Sequence, residues 1–136
     1  MRPSIIFQIG MKILTPVLLV GSVIIFWRGH QLPGGGFIGG LVAGATFATH
    51  AFCYGVDSTL RLIRLHPLSF VFIGLFLALI SGVISLLVGA QVFQGQWVTV
   101  PVIGMLGTPQ IFDLGVYLLV AGLVAVFISE ILKEDT

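Results

Sequence analysis

The chain has 136 residues, of which 57% are hydrophobic and only 8% are charged, and its mean hydropathy is +1.17. A soluble domain carries about 25% charged residues, so this composition excludes a soluble globular protein and indicates an integral membrane protein. The net charge of +1 offers no basic surface to nucleic acid, and the single cysteine, Cys53, has no partner for an intrachain disulfide.

Four apolar runs are long enough to cross a bilayer, because a span needs roughly 20 predominantly apolar residues. They predict an all-α membrane protein, with residues 1–136 forming a single domain whose helices lie at about 5–27, 37–56, 68–90 and 111–132. Basic residues concentrate in cytoplasmic loops. On the side of both termini lie Arg2, Arg61, Arg64 and Lys133. We therefore expect both termini to be cytoplasmic.

The first predicted helix carries Lys12 about two turns from its start. A charge at that depth is costly, and it either snorkels to the headgroups or finds a partner. We expect Lys12 to snorkel; Glu130, at a comparable depth in the last helix, is the alternative partner. Pro16 removes a backbone hydrogen bond from the turn around Lys12 and predicts a kink.

The turn after the first helix, Arg28–Gly40, combines a cation, a histidine, a proline and several glycines. Pro33 fixes φ, whereas Gly34 and Gly35 allow positive φ, so the chain is expected to reverse sharply here. The segment Gly34–Gly39 also matches the dinucleotide pattern G-x-G-x-x-G. That pattern needs a preceding strand in a soluble βαβ unit, and the flanking membrane helices exclude it.

The second predicted helix repeats small residues every four positions, at Gly36, Gly40, Gly44 and Ala48. This spacing forms a face that lets another helix approach closely. His50 lies on a polar line beside that face. It is either a proton relay or, as we favour, a neutral imidazole bonded to a neighbouring carbonyl.

Between the second and third helices, residues 57–67 predict a short amphipathic turn. Between the third and fourth helices, residues 91–110 predict a long uncharged loop lying on the membrane or against another protein. Thr108 and Pro109 suit the start of the last helix. One turn further, Asp113 lies at the depth of Arg28 and His30, which predicts an ion pair between the first and last helices. The free amides at the start of the second helix are an alternative partner for Asp113.

The three histidines, His30, His50 and His66, lie at three different depths, so they cannot share a metal ion. For the same reason no Ser/His/Asp or Cys/His set can assemble. We predict no metal, no cofactor and no catalytic site.

Three blocks of this sequence resemble the B subunit of the Mrp-type (Mnh) multisubunit Na⁺/H⁺ antiporter. They are Arg28-Gly-His followed by Pro33-Gly-Gly-Gly-Phe37 and Gly39-Gly-Leu41; Leu106-Gly-Thr-Pro109 followed by Phe112-Asp-Leu-Gly-Val-Tyr117; and Tyr54-Gly-Val with the arginine-rich turn ending in His66-Pro67. The resemblance implies a small four-helix subunit in the prokaryotic cell membrane, bound to other membrane subunits. The complex would exchange Na⁺ for H⁺, and this subunit would serve assembly without transporting ions alone.

By position, the resemblance also implies which residues belong to the family pattern. The signature turn takes in Pro33, Gly34, Gly35, Gly36, Phe37, Gly39 and Gly40, and the second block contains Asp113. Lys12 takes the place of a basic residue that is commonly followed by a proline. His50 and Cys53 stand where the family has aliphatic residues, so the resemblance does not support a proton-relay role for His50.

Two other functions remain open at this stage. One is an equivalent subunit in the ion-translocating module of a membrane-bound hydrogenase or related respiratory complex. The other is an autonomous homo-oligomeric channel. Such a channel needs a continuous polar path, which four helices with few intramembrane ionisable groups supply poorly. Neither alternative requires a cofactor on this chain.

Overall fold

The computed structural model describes residues 3–29, 35–89, 97–100 and 104–134. The predictions for His30, Pro33 and Gly34 therefore lie outside the described residues. In chain order, the elements are α1 (Ile5–Arg28), α2 (Gly36–Tyr54), α3 (Val56–Ile63), α4 (Pro67–Leu87), β1 (Trp97–Val100), β2 (Gly104–Gly107) and α5 (Thr108–Glu134).

Four of these helices, α1, α2, α4 and α5, are long and apolar enough to cross a membrane. This confirms the predicted four-helix membrane class. The helix bounds differ slightly from the prediction: α4 ends at Leu87, and α5 extends from Thr108 to Glu134. Four successive crossings return the chain to the side on which it started.

The large apolar side chains point outward and the small residues lie inside. Ile6 is 84% exposed and Phe76 is 63% exposed, whereas the buried apolar residues are mostly alanines such as Ala43 and Ala121. Lipid tails are as apolar as leucine, so burying large side chains between helices brings little gain in a membrane. Close packing of backbones therefore holds this bundle together.

Helix α5 packs against both α4 and α2, and α2 packs against α1. Between α4 and α5 the backbones touch at Gly74 and Gly115. A Cβ at Gly74 would lie 2.5 Å from the Gly115 carbonyl oxygen, and one at Gly115 would lie 2.6 Å from the Gly74 carbonyl oxygen. The predicted small residues of the third span are thus packing surface.

Helix α3 replaces the amphipathic turn that the sequence predicts. It begins after Gly55, whose φ of +88° suits glycine, and ends where Arg64 adopts the left-handed conformation. One side of α3 buries Thr59, while its charged residues Asp57 and Arg61 are exposed. Because Gly55 has a positive φ, the helical conformation is interrupted there, and α3 is a separate helix and not a continuation of α2.

Strands β1 and β2 replace part of the long loop that the sequence predicts. They pair antiparallel, from Trp97 opposite Gly107 to Val100 opposite Gly104. The β1 sequence, Trp-Val-Thr-Val, is rich in aromatic and β-branched residues that favour a strand. The all-α expectation missed this hairpin because a four-residue strand gives a weak periodic signal.

We distinguish the two ends of the bundle by the elements that they contain. The hairpin end contains the last turn of α1, the first turn of α2, the two strands and the start of α5. The terminal end contains the first turns of α1, helix α3, the start of α4 and the last turns of α5. There the Tyr54 hydroxyl bonds the Gln8 carbonyl and so ties α2 to α1.

Candidate functional site

At the hairpin end, the carboxylate of Asp113 caps the first turn of α2. The Gly36 amide donates a hydrogen bond of 2.8 Å to Asp113 Oδ1. The first amides of a helix lack partners within the helix, and the helix dipole favours a negative charge there. Asp113 lies one turn inside α5, so this bond joins the starts of two spans. We call Gly35, Gly36 and Asp113 the cap site.

Glycine is required at the cap site for two separate reasons. Gly35 has φ +102°, a conformation that residues with a side chain rarely adopt. At Gly36, a Cβ would overlap the Asp113 carbonyl oxygen and lie 2.7 Å from Oδ1. The Gly35 amide also donates to the Ile25 carbonyl at 3.3 Å. The cap site therefore connects α1, α2 and α5.

The predicted ion pair of Asp113 with Arg28 is not formed among the described residues. Arg28 is exposed in the last turn of α1, where the negative end of the helix dipole favours a cation. The short Asp113 side chain bonds the Gly36 amide instead. It reaches that amide because the glycines let the α5 backbone approach the start of α2. The alternative that the sequence left open, a carboxylate held by helix amides, is the one observed.

The glycines that follow in α2 continue this close approach. A Cβ at Gly40 would lie 2.8 Å from the Tyr117 carbonyl oxygen, and one at Gly44 would lie 2.7 Å from Val124 Cβ. Both contacts are with α5. Gly39 faces α1, where a Cβ would lie 2.8 Å from the Ser22 carbonyl oxygen. The structure thus shows the close contact that the four-residue spacing predicts, whereas Phe37 points outward and is 58% exposed.

Sequence reasoning missed a hydrogen bond between Ser22 and Tyr117 next to this face. Ser22 is fully buried, and its hydroxyl donates to the Leu19 carbonyl at 2.7 Å. A serine has one hydroxyl proton, so the Tyr117 hydroxyl donates to Ser22 Oγ at 2.8 Å. The signal was present: Tyr117 follows Asp113 by four residues, which puts both on one face of α5.

At the terminal end, His50 bonds a residue of α3 rather than the carbonyl that we expected. His50 Nδ1 lies 2.8 Å from Thr59 Oγ1, which also lies 3.0 Å from the Gly55 carbonyl oxygen. The His50 ring packs on the Tyr54 ring, with centroids 4.7 Å apart. The Tyr54 hydroxyl in turn donates to the Gln8 carbonyl. His50 thus helps hold α3 against α2.

The alternative pairing of Lys12 with Glu130 is not formed among the described residues. Glu130 Oε1 lies 3.7 Å from Lys133 Nζ, on the same helix. Lys12 is exposed and forms no ion pair within the described residues. The physical reason is the packing order: α1 packs mainly on α2, whereas α5 lies between α2 and α4. Similar depth in two helices does not make them neighbours.

No three His, Cys, Asp or Glu side chains come together in the part of the chain that the structure describes. The buried polar residues there are threonines and serines, with no charged side chain among them. The arrangement can cap helices and fix their spacing. The expectation of no cofactor stays a prediction.

Comparison with known proteins places these features in a family context. Residues 6–126 match the family described as "Domain related to MnhB subunit of Na+/H+ antiporter". The Na⁺/H⁺ antiporter B subunit of Bacillus subtilis is 33% identical over 97% of this chain and 95% of that protein. The corresponding B subunit of Alkalihalophilus pseudofirmus is 33% identical over 91% of this chain and 89% of that protein.

Two further similarities concern longer chains. The probable K⁺/H⁺ antiporter A/B subunit of Rhizobium meliloti is 35% identical over 82% of this chain but only 12% of that protein. The solved structure of the Mrp complex from Dietzia sp. DQ12-45-1b contains a chain that matches with a TM-score of 0.82 and 27% identity. That match covers 94% of this chain and 14% of the longer one.

Proposed function

We propose that this chain is a small accessory subunit of a multisubunit Mrp-type antiporter. The premise is that the chain belongs to the family of domains related to the MnhB subunit of Na⁺/H⁺ antiporters. The observation that carries the proposal is its similarity to a free-standing B subunit over nearly the full length of both proteins. The match to a chain of the Mrp complex supports partners among other membrane subunits. The complex lies in the prokaryotic cell membrane.

The internal packing supports a role in assembly and not in conduction by this chain alone. Each of the buried hydroxyls of Ser22, Thr46 and Ser81 donates to a carbonyl of its own helix. The glycine contacts leave no room for a channel between α2 and α5. A pore within this single chain needs a polar path through the membrane, and the interior formed by the described residues supplies none. We propose that the complex carries Na⁺ and H⁺ and that this subunit is not an enzyme.

The orientation and domain organisation belong to the same proposal. Arg61, Arg64 and Lys133 all lie at the terminal end, so the positive-inside rule puts this end in the cytoplasm. Residues 1–136 form one four-helix domain in this proposal. Na⁺ is the proposed cation, and K⁺ is the alternative suggested by the name of the Rhizobium meliloti relative.

The proposal is tested by removing and restoring this chain in its complex. In everted vesicles, loss of the chain should abolish Na⁺-dependent proton exchange and the recovery of the intact complex, and re-expression should restore both. The same vesicles assayed with K⁺ decide between the two cations. Na⁺-dependent proton flux through proteoliposomes that contain the purified chain alone would overturn the proposal.

A further inference from the structure

A cavity of about 400 Å³ lies between α1, α2 and α3 at the terminal end. Its polar lining comes from Lys12 and Thr15 of α1, His50 and Tyr54 of α2, and Ser58 of α3. Among the described residues, no carboxylate lines it. The proposed function leaves this cavity unexplained.

Two polar groups in this cavity lack partners within the described residues. Thr15 is 6% exposed, and its buried hydroxyl forms no hydrogen bond. Lys12 has no counter-ion there. A buried hydroxyl without a partner is costly, and so is an uncompensated cation at membrane depth. An occupant that brings a negative charge would compensate Lys12, whereas the Thr15 hydroxyl is covered by the fold itself.

A second, wholly apolar groove of about 600 Å³ adjoins this cavity along α1. Met11 lines both. The groove runs from Ile6 to Val17, a distance of about 16 Å at the α-helical rise of 1.5 Å per residue. This length is comparable to one half of the roughly 30 Å hydrocarbon core of a bilayer.

Gly10 keeps the apolar groove open. A Cβ at this position would meet nothing within 4 Å. The fold itself therefore does not require glycine here, in contrast to Gly36. A mainly apolar cavity that contains the Lys12 cation, beside an apolar groove of acyl-chain length, fits an amphiphile that carries an anionic head.

We propose that the cavity and the groove together bind an anionic phospholipid of the membrane leaflet at the terminal end. The phosphate contacts Lys12 and Ser58, and one acyl chain lies along the groove over Gly10. Charge complementarity selects the lipid class, because the cavity lining contains a cation and no acid. A carboxylate of another subunit is the competing occupant of the cavity, and it would leave the apolar groove to a partner helix.

The test uses the intact complex, purified and exchanged into detergent that contains equal amounts of phosphatidylglycerol and phosphatidylcholine. Native mass spectrometry counts each lipid per complex. Lys12→Gln should lower the affinity of this one site for phosphatidylglycerol roughly fivefold and so remove about one such lipid from the count per complex, since one cation near the surface contributes on the order of a fivefold preference for anionic lipid. Lys12→Arg should retain it, and Lys133→Gln, which removes a charge at the same end outside the cavity, should leave it unchanged.

A second pair of variants separates lipid binding from folding. Gly10→Leu should fill the groove and lower bound phosphatidylglycerol while the complex still assembles. Gly21→Leu is the matched control, because a Cβ at Gly21 also meets nothing within 4 Å but lies outside the groove. Unchanged lipid counts in both Lys12→Gln and Gly10→Leu would overturn the proposal. Cross-linking of Lys12 to an acidic residue of another subunit would overturn it equally.

Discussion

The two ends of this bundle satisfy their polar groups in different ways. At the hairpin end, the Asp113 carboxylate and the Gly36 amide bond each other across two spans. At the terminal end, Lys12 lines a cavity without a counter-ion, and the buried Thr15 hydroxyl beside it lacks a partner among the described residues. Glycine spacing explains the difference, because it brings backbones into contact at one end, whereas α3 and Pro16 leave space at the other.

The comparison suggests a division of roles within one small subunit. Among the described residues, the cap site at the hairpin end is bonded internally, so changes there should damage the fold and hence the assembly of the complex. The cavity around Lys12 at the terminal end lacks a counter-ion there, so changes at Lys12 should alter what it binds and leave the fold intact. The following predictions test that division, beginning with the largest expected effect.

Gly36→Ala should cause the largest loss. The added Cβ would overlap the Asp113 carbonyl oxygen, so α2 and α5 must separate and the capping bond must break. Overpacking of this kind costs about 1–3 kcal/mol or more, and the recovery of assembled complex should fall sharply. Gly10→Ala is the matched control, since its Cβ meets nothing within 4 Å. Normal assembly of the Gly36→Ala variant would refute the close contact between α2 and α5.

Asp113→Ala should weaken the complex by about 1–2 kcal/mol, the usual cost of losing a helix cap. The Gly36 amide would lose its acceptor, and the melting temperature of the complex should fall. Asp113→Asn keeps an acceptor oxygen and removes only the charge, so its effect should be smaller. Equal melting temperatures for wild type and Asp113→Ala would show that the cap contributes nothing.

Tyr117→Phe should cost about 0.6 kcal/mol, the average measured for hydrogen bonds between membrane helices. The variant removes the hydroxyl that donates to Ser22 Oγ and keeps the ring that packs on Phe26 at 5.4 Å. A double-mutant cycle with Ser22→Ala isolates the bond. Strict additivity of the two substitutions would mean that the hydroxyls do not interact.

Thr15→Val should be the one substitution in this set that does not destabilise the protein, because it removes a buried hydroxyl that has no partner among the described residues; the melting temperature in lipid-free detergent should stay level or rise. The hydroxyl that it removes has no partner in the described part of the chain, and valine has nearly the same shape. The melting temperature of the delipidated complex measures this. A large loss would show that the terminal end, like the hairpin end, depends on an internal hydrogen bond.

Much of the architecture follows from the sequence because a membrane limits the choices. Backbone groups in the hydrocarbon core must bond within the segment, so a long apolar run can only be a helix. The spacing of Gly36, Gly40 and Gly44 predicts a close contact because residues four positions apart lie on one face of a helix. The Asp113 prediction shows the limit, since the sequence offered both Arg28 and the helix amides as partners.

What the sequence determined by itself is therefore local: four spans, a small face on α2 and the membership of a family whose pattern covers most of the chain. Only the tertiary structure decided which helices are neighbours. It put Asp113 against Gly36, separated Lys12 from Glu130, and placed Tyr117 on Ser22. Residues of one helix are related by a fixed rise and rotation, whereas contacts between helices depend on how closely whole backbones approach. In this protein that approach is set by glycines, which lie on both helices where Gly74 meets Gly115 and on α2 alone where Gly40 meets Tyr117.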